Sequence, residues 1–367
     1  MSVPAATAPA VLIVPDLELE AWPSMDRYAR ELGRHVPEAE LAPEAATLHG
    51  PRYLSRYLSY PRALRRHHPA VVHVADHSYA HCLAAFPGVP SVITIHDLYP
   101  LHVIAAAGRT IRDRVRDRLL RRVLDWTRRA DRWIADSEFT AAEARHLLGL
   151  PGERITVAAL GVEEAFFSRP ADGVLAARRR GWIGADARAT VVLHVGTCTP
   201  RKNVELVIQT VDRLRRSGMD ARLVQIGGRF GASHLRAIAA AGLAPFVRQE
   251  PAVDETALVG AYHAADVLLM PSSYEGFGLP ALEALAAGLP VVTSGAPALR
   301  ETVGDAGTVV ESAEPVALAD AVASVLGETA RREALTSLGR ARARTMTWQR
   351  TAAAVRAVYA QLGAVNR

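Results

Sequence analysis

The chain alternates short, uninterrupted hydrophobic runs with longer segments of helical periodicity. Strands that are apolar throughout, without polar alternation, are typical of parallel sheets covered by helices on both faces. The pattern therefore predicts an α/β protein. The predicted strands are VLIV (11–14), VVHV (71–74), SVITI (91–95), RWIA (132–135), ITVA (155–158), TVVLHVG (190–196), RLVQI (222–226), DVLLM (266–270) and PVVT (290–293).

Two groups of these strands are separated by a break in the pattern. A chain of 367 residues has enough material for about two domains. Residues 169–188 are polar, contain proline and glycine and carry clustered arginines, so we interpret them as a linker. This predicts an N-terminal domain over residues 1–168, a C-terminal domain over 189–345 and a closing helix over 346–367.

Capping residues mark the ends of the predicted helices. The segment 204–218 has helical periodicity and ends on a glycine. In TAAEARHLLG, Thr140 and Glu143 have the spacing of a capping box, and Gly149 is placed to close the helix. Ser137 follows a predicted strand, and we expect it to cap the next helix.

Composition and charge exclude several functional classes. The net charge of +5 is modest for this length and no nucleic-acid-binding motif stands out, so we expect no nucleic-acid partner. The only cysteines, Cys82 and Cys198, are too far apart for a disulfide framework or a zinc motif, which favours a reducing compartment. The first residues do not resemble a signal peptide, and no apolar run reaches membrane-spanning length. We therefore expect a cytoplasmic protein.

The strand at 266–270 runs into a glycine-containing loop and then a helix. Pro280 suits the first helical turn, and Gly288 suits the C-terminal cap. Gly276 and Gly278 leave room for a ligand beside the backbone, and the start of the helix offers N–H groups and a positive dipole end. The sequence thus predicts an anion site here. The alternative is a plain strand–helix turn shaped by glycine and proline.

Charged residues accompany this predicted anion site. Glu275 lies in the loop and Glu283 on the helix; carboxylates are unsuited to binding phosphate but can hold sugar and ribose hydroxyls. Lys202, beside Arg201, is the only lysine in a chain with 43 Lys and Arg residues. A compact, mobile ammonium suits a point contact with phosphate, so we predict that Lys202 contacts a phosphate group. The alternative is an ordinary surface lysine.

Several segments together resemble retaining glycosyltransferase family 4. The segment EGFGLPALE, from Glu275 to Glu283, resembles the family's E-x7-E motif. The other similar segments, in order along nearly the whole chain, are VITIHDLYP (92–100), ADSEFTAAEARHLL (135–148), HVGTCTPRKNVELVIQ (194–209) and the terminal helix containing Trp348. The resemblance implies the GT-B fold, in which two Rossmann-like domains face each other across a cleft and a C-terminal helix crosses back to the first domain.

The resemblance also implies roles for individual residues. Arg201 and Lys202 would bind the donor diphosphate and stabilise the charge that develops as it leaves. Glu283 would hold the nucleotide ribose, and His96 would face the donor sugar. The remaining implied donor-binding residues are Gly196 and Thr197 beneath the phosphates, and Glu275, Gly276, Phe277, Gly278 and Leu279 at the sugar. The implied catalytic set is His96, Arg201, Lys202 and Glu275.

The acceptor side departs from the family pattern. Many members have a glycine pair in the loop after the first strand, whereas residues 15–30 of this chain contain no glycine. Trp22 must shape this loop differently. We take Trp22 as an acceptor-side candidate because it lies in this loop, and Asp97 and His77 because they follow the ends of predicted strands.

The function implied by the resemblance is transfer of a hexose-type sugar from a UDP- or GDP-linked donor to a hydroxyl of a glycan, a lipid-linked sugar or a small metabolite. We expect retention of configuration. The D-x-D triplet of the other large glycosyltransferase fold is absent, so we expect neither a metal nor a cofactor. A nucleotide-sugar epimerase and a non-catalytic sugar-nucleotide binding module of the same fold remain as alternatives.

Residues 109–132 form a predicted helix with ten arginines and four aspartates. Apolar residues fall near one face, with arginines around the rest. One interpretation is peripheral contact with the inner membrane surface. The other is an amphipathic helix packed on the N-terminal sheet, with a solvated outer face stabilised by Asp–Arg pairs.

Overall fold

The computed structural model describes residues 10–20, 22–48, 50–106, 111–184 and 188–364, and within them the side chains of all but 104–106, 111–116, 119 and 120. The chain divides into two compact units. The first unit comprises residues 1–161 and 348–367, and the second unit comprises residues 162–347. Each is built around its own parallel sheet.

The sheet of the first unit has six described strands in the order β2-β1-β3-β4-β5-β6, and all neighbours are parallel. Strands β1, β3 and β4 are buried along their whole length, which explains their uninterrupted hydrophobic sequences. The bounds are β1 (Val11–Val14), β2 (Ala39–Leu41), β3 (Val71–Val74), β4 (Ser91–Ile95), β5 (Arg132–Ala135) and β6 (Ile155–Val157).

Helices pack around this sheet. Helix α1 begins at Pro23, a favoured first-turn residue, and buries Tyr28 and Leu32 one turn apart. The bounds are α1 (Pro23–His35), α2 (Glu44–Thr47), α3 (Arg52–Leu54), α4 (Tyr60–Leu64), α5 (Tyr99–Ala106), α6 (Ile111–Thr127) and α7 (Glu138–Leu148), with a π-helical turn at Ser55–Ser59 and 3₁₀ turns at Glu18–Glu20, His77–Ala85 and Gly152–Arg154.

The sheet of the second unit also has six described parallel strands, in the order β12-β11-β10-β7-β8-β9. Counted from β7, this is the 3-2-1-4-5-6 order of the Rossmann fold. The bounds are β7 (Thr190–Val195), β8 (Ala221–Ile226), β9 (Val247–Glu250), β10 (Val267–Met270), β11 (Val291–Ser294) and β12 (Thr308–Val310).

The helices of the second unit connect successive strands. They are α8 (Asp172–Ile183), α9 (Val204–Arg216), α10 (Ala232–Ala240), α11 (Glu255–Ala264), α12 (Leu279–Ala287), α13 (Pro297–Val303), α14 (Pro315–Gly327) and α15 (Thr329–Ala343), with 3₁₀ turns at Glu164–Phe167, Pro200–Lys202, Ala244–Phe246 and Gly304–Ala306. The core beneath the β7–β10 region includes Val192, Val207, Val211 and Leu269.

The last helix, α16 (Trp348–Gln361), belongs to the first unit. The hydroxyl of Tyr359 lies 2.5 Å from Nδ1 of His73, and Nε2 of His73 lies 2.7 Å from Oγ1 of Thr94. Burial lowers the pKa of His73 to about 3, so the ring is neutral and links these two hydroxyls. A buried polar chain thereby joins α16 to β3 and β4.

The unit boundary lies between Gly161 and Val162, not near residue 168. The segment predicted as a linker, 169–188, contains helix α8. Two of its arginines form ion pairs with the second unit: Arg179 donates to Asp266 over 2.8 Å, and Arg178 donates to Glu250 over 2.9 Å. These two pairs attach α8 to the sheet of the second unit.

The start of α7 and the edge strands differ in part from the sequence interpretation. The cap of α7 is Ser137, as expected, because its hydroxyl accepts from the backbone N–H of Thr140. The capping box predicted at Thr140 and Glu143 is wrong: the helix begins earlier, and the Glu143 carboxylate lies 2.6 Å from the ring of His102. Strands β2, β9 and β12 were not predicted, because edge strands need no continuous apolar run.

Candidate functional site

The crossover direction of the second sheet reverses between β7 and β10, which are hydrogen-bonded neighbours. Open α/β sheets bind ligands outside the carboxyl ends of strands at such a point. The loop after β7 carries Arg201, and the loop after β10 carries Ser273. The backbone N–H of Ser273 donates to the Arg201 carbonyl over 2.8 Å, and Asn203 Nδ2 donates to the Pro271 carbonyl over 2.9 Å. The two loops therefore form one structure.

Lys202, Arg201 and Glu275 form a buried charge cluster at this point. Lys202 is only 7% exposed, and its Nζ donates to Glu275 Oε1 over 2.7 Å. Arg201 Nη1 donates to the other carboxylate oxygen over 2.9 Å. Burial alone would raise the pKa of Glu275, but the charges of Lys202 and Arg201 outweigh it and lower that pKa. The three groups thus carry two positive charges and one negative charge.

The 203 position has an unusual backbone. Asn203 has φ of 50°, the left-handed region that asparagine tolerates better than most residues. This conformation turns the chain from the 3₁₀ turn at Pro200–Lys202 into helix α9. Its side-chain bond to Pro271 compensates for the strain. The sequence interpretation did not single out Asn203.

Glycines let the backbone of this site pack closely. A Cβ at Gly196 would lie 3.4 Å from Cε of Lys202, and φ of 148° already disfavours a side chain there. Thr197, which follows, is exposed. A Cβ at Gly228 would lie 2.8 Å from the backbone nitrogen of Cys198 and 3.1 Å from Cα of Thr197. Gly228, in a glycine pair after β8, is a site residue that the sequence interpretation missed.

Helix α12 begins as predicted, directly after the glycine loop. Gly278 has φ of 108° and a Cβ there would lie 2.6 Å from Leu299, so only glycine fits. Pro280 lies in the first turn, and Gly288 caps the C terminus in the left-handed conformation. The Phe277 carbonyl accepts from Thr302 over 2.6 Å, which fixes the loop. Gly276, Phe277 and Leu279, the other predicted residues of this loop, are buried with it.

Glu283 lies on α12, buried to 3% exposure. Its Oε2 accepts from the hydroxyl of Tyr262 over 2.6 Å. Tyr262, on α11, was not predicted, and a single tyrosine in an amphipathic helix carries no signal that would reveal it. The Tyr262 bond fixes the rotamer of Glu283.

His194, on β7, lies beneath the charge cluster. Its Nδ1 contacts the Leu269 carbonyl at 3.0 Å, and Nε2 has no hydrogen-bond partner among the residues that the structure describes. Burial, reinforced by the charge of Lys202, lowers the pKa of His194 to about 4. The ring is therefore neutral at physiological pH, and it adds no charge under the cluster.

The first-unit candidates lie at the carboxyl end of their own sheet. His96 follows β4, and both of its ring nitrogens are occupied: Nδ1 lies 2.7 Å from Asp136 Oδ2 and Nε2 lies 2.8 Å from the Ala75 carbonyl. Because both partners are acceptors, the ring is an imidazolium. Burial would lower the pKa of His96, but Asp136 reverses this and the pKa is raised to about 9.

The acceptor-side candidates have local partners. Asp97 Oδ1 accepts from the backbone N–H of Tyr99 over 3.1 Å. Buried His77 lies 3.0 Å from Asp76, and half-buried Trp22 lies beneath a guanidinium, 5.8 Å from its ring centroid. Within the second unit, the structure thus brings together Arg201, Lys202, Glu275 and their glycines. Each first-unit candidate has partners within the first unit.

Two family models match the chain. The model described as Glycosyltransferase Family 4 matches residues 18–166, and the model described as Glycosyl transferases group 1 matches residues 189–328. The chain belongs to glycosyltransferase family 4. The two matches fall on the two units, and the second contains the Lys202–Arg201–Glu275 cluster.

Named relatives of this family 4 chain include D-inositol 3-phosphate glycosyltransferases. The protein of Thermobispora bispora is 34% identical over 287 residues, which are 75% of this chain and 65% of the relative. That of Geodermatophilus obscurus is 35% identical over 73% of this chain and 61% of the relative. The chain thus spans about three fifths of the length of these relatives.

Solved structures confirm the fold. Sucrose-phosphate synthase from Thermosynechococcus elongatus matches with a TM-score of 0.76 at 20% identity, covering 97% of this chain and 100% of that one. Anabaena HepE in complex with UDP and glucose also matches with a TM-score of 0.76, at 16% identity and the same coverage. The family 4 chain therefore has the two-domain, Rossmann-like GT-B fold.

The predicted basic segment 109–132 is helical over Ile111–Thr127 as α6, while residues 109 and 110 lie outside the described residues. Among described helices, none combines the length and apolar character needed to cross a bilayer.

Proposed function

We propose that this protein transfers a hexose-type sugar from a UDP- or GDP-linked donor to a hydroxyl acceptor, with retention of configuration and without a metal ion. The observation that carries the proposal is the buried Lys202–Arg201–Glu275 cluster at the switch point of the second sheet. Family membership and the UDP-bound structure of the related fold support a nucleotide-sugar donor.

The donor diphosphate would lie against Lys202 and Arg201. In the free protein Glu275 occupies both cations, so a diphosphate would replace this carboxylate as their partner. Glu275, once released, would accept hydroxyls of the sugar. The start of helix α12 adds a positive dipole end and backbone N–H groups beside the same loop.

The ribose would be held by Glu283, because its carboxylate is buried, fixed by Tyr262 and placed in the second turn of α12. A vicinal diol donates well to a fixed carboxylate. Glu275 and Glu283 would therefore bind hydroxyls on opposite sides of the diphosphate. The close glycines, Gly196 and Gly278, would let the backbone approach the donor.

The proposed reaction is a same-face displacement. The acceptor oxygen bonds to the anomeric carbon, the bond from that carbon to the diphosphate oxygen breaks, and the acceptor proton moves to the departing phosphate oxygen. Lys202 and Arg201 stabilise the negative charge on the leaving diphosphate, which is the role that a metal ion has in other transferases. His96 would contact the sugar only if its bond to Ala75 opened, so we assign it first to positioning the loops of the first unit.

The test is calorimetric titration with UDP, GDP and dTDP in EDTA, followed by turnover of the matching nucleotide-glucose. We expect one diphosphate to bind without metal, and free diphosphate to be released only when an acceptor is added. Binding that requires a divalent ion would refute metal independence. Conversion of the sugar without an acceptor would support an epimerase, and binding without any turnover would support a non-catalytic module.

We also propose peripheral contact of the first unit with an anionic lipid surface. Tyr53, Leu54 and Leu58 are 71%, 55% and 61% exposed and lie within the short segment 53–58, a patch that burial in a membrane interface would cover. Beside it is a cavity of about 430 Å³, whose arginines have no ion-pair partner among the described residues. It is lined by Tyr57, Leu58, Pro61, Arg62, Arg65, His81, Ala84, Arg122, Val123 and Trp126.

Flotation with vesicles tests this contact. We expect the protein to float with vesicles containing phosphatidylglycerol and not with neutral phosphatidylcholine. Leu54→Glu should abolish flotation, whereas Leu338→Glu, at a leucine 49% exposed in the second unit, should not. Failure to float with either vesicle, or equal loss in both variants, would refute the contact.

A further inference from the structure

Four neighbouring strands of the first sheet end in ionisable side chains. Asp16 lies two residues after β1 and Asp76 two residues after β3, while His96 and Asp136 directly follow β4 and β5. Because β1, β3, β4 and β5 are consecutive in the sheet, these residues form a row along its carboxyl edge. We call Asp16, Asp76, His96 and Asp136 the edge row.

Asp16 and Asp76 flank the switch point of the first sheet. Strand β1 connects to β2 on one side, whereas its other neighbour β3 connects onward to β4, so the crossover direction reverses between β1 and β3. Ligands of open α/β sheets bind in the crevice at this point. The first unit thus has its own ligand position, and two carboxyl groups line it.

Most of the edge row is satisfied by protein partners. Asp76 accepts from the backbone N–H and the hydroxyl of Ser78, both over 2.9 Å, and caps the 3₁₀ turn at His77–Ala85. Asp136 Oδ2 and His96 form the ion pair described above. These residues have structural roles that their contacts explain.

Asp16 is different. Its side chain is buried to 3% exposure, and among the described residues no N–H or hydroxyl donates to either of its carboxyl oxygens, which lie against the carboxyl group of Asp76. Leaving a buried polar group unsatisfied costs about 1–3 kcal/mol, and native structures rarely do so. Burial and the adjacent charge of Asp76 raise the pKa of Asp16, while Arg56 and His96 act in the opposite direction. A buried carboxyl group to which no donor in the described part of the protein points can receive the hydroxyl groups of a ligand.

The groups around Asp16 select against an anion. Arg56 Nη1 is committed to Glu20 over 3.2 Å and Nη2 to the Ser78 carbonyl over 2.7 Å, and both nitrogens of His96 are engaged. Among the described atoms of the edge row and Arg56, both oxygens of Asp16 and Oδ1 of Asp136 are left over, together with Nε of Arg56. Burial would raise the pKa of Asp76, but His77 and His96 reverse this and lower that pKa, so a phosphate would meet the negative charge of Asp76, whereas a hydroxyl group would find acceptors.

We propose that the crevice between β1 and β3 binds an unphosphorylated, hydroxyl-rich acceptor, and that Asp16 is the residue that receives its hydroxyl groups. This proposal rests on the transferase function proposed above. It distinguishes the protein from its relatives named for inositol 3-phosphate, whose acceptor carries a phosphate. A metal is not the natural occupant, because no group of three His, Cys, Asp or Glu in the described residues is arranged to hold one.

The test compares Asp16→Asn with Asp76→Ala, which removes the capping side chain. Acceptor-dependent release of diphosphate would be measured with myo-inositol, glucose and glycerol and with inositol 3-phosphate, glucose 6-phosphate and glycerol 3-phosphate. We expect wild type to respond to at least one unphosphorylated compound and to none of the phosphates. Asp16→Asn should lower kcat/KM for that acceptor at least tenfold with unchanged affinity for the nucleoside diphosphate.

Thermal melting separates this role from a structural one. Asp16→Asn should leave Tm unchanged or raise it, because no N–H or hydroxyl of the described residues donates to its carboxyl, whereas Asp76→Ala should lower Tm by removing the cap of the 3₁₀ turn. The proposal would be overturned if Asp16→Asn had a lower Tm or unaltered kinetics. It would also be overturned if wild type preferred the phosphorylated compounds, or bound the diphosphate but responded to no acceptor. Failure of wild type to bind any nucleoside diphosphate would instead overturn the transferase function.

Discussion

Replacing Lys202 by methionine removes the ammonium but keeps an unbranched side chain of similar length. The loss is the charged hydrogen bond that Lys202 now makes to Glu275 and would make to a diphosphate. Hydrogen bonds to charged groups contribute about 1.5–3 kcal/mol, which corresponds to roughly 10- to 150-fold in Kd. Because the diphosphate replaces an existing partner and Arg201 remains, we expect the lower half of this range.

The assay is calorimetric titration of wild type and Lys202→Met with the preferred nucleoside diphosphate and with its nucleoside. Only the diphosphate should lose affinity, because the nucleoside lacks the group that Lys202 contacts. Glu275→Gln provides the matched control: it frees both cations from their internal partner and should leave diphosphate affinity equal or higher. Equal weakening of nucleoside and diphosphate by Lys202→Met, or no weakening, would refute the reasoning.

Three further changes test other parts of the structure. Gly278→Ala should lower Tm by an amount equivalent to about 2–4 kcal/mol, since a Cβ would lie 2.6 Å from buried Leu299 and the positive φ adds strain. Tyr359→Phe leaves Nδ1 of buried His73 unpaired and should cost about 1–3 kcal/mol, measured by the same melts. The raised pKa of His96 predicts stability that is complete below pH 6.5 and is lost as pH rises through about 9, so Tm should fall over this window in wild type and less in His96→Gln.

Each of these has a control or a contrary outcome. Gly173→Ala, where a Cβ has no atom within 4 Å, should not destabilise; equal effects at both glycines would remove the steric explanation. The raised pKa of Asp16 gives a pH dependence of the same sign, so the diagnostic is the difference between wild type and His96→Gln. Parallel Tm curves would show that His96 is not charged in the folded protein.

The sequence predicted the central strands, because β1, β3, β4, β7 and β10 are buried on both faces and therefore apolar throughout. Edge strands need not be buried on both faces, and the sequence VRQE of β9 is mostly polar. The glycine loop and helix α12 were predictable because Gly278 and Pro280 have positional meanings in the backbone.

Side-chain partnerships were not predictable in the same way. Nothing in the local sequence shows that Tyr262 meets Glu283, or that Arg178 and Arg179 pair with carboxylates about 70 and 90 residues away. Nor does sequence reveal that His96 uses both nitrogens internally. These side-chain contacts depend on which strand ends lie next to each other in the folded sheet.

The composition of the charge cluster offers a direct view of the site without any substitution. Lys202 is the single lysine of the sequence, so protein grown with isotope-labelled lysine carries the label at one position. That position is the ammonium bound to Glu275. Its single magnetic resonance signal would report the exchange of carboxylate for phosphate as a donor enters, in the unmodified protein and in real time.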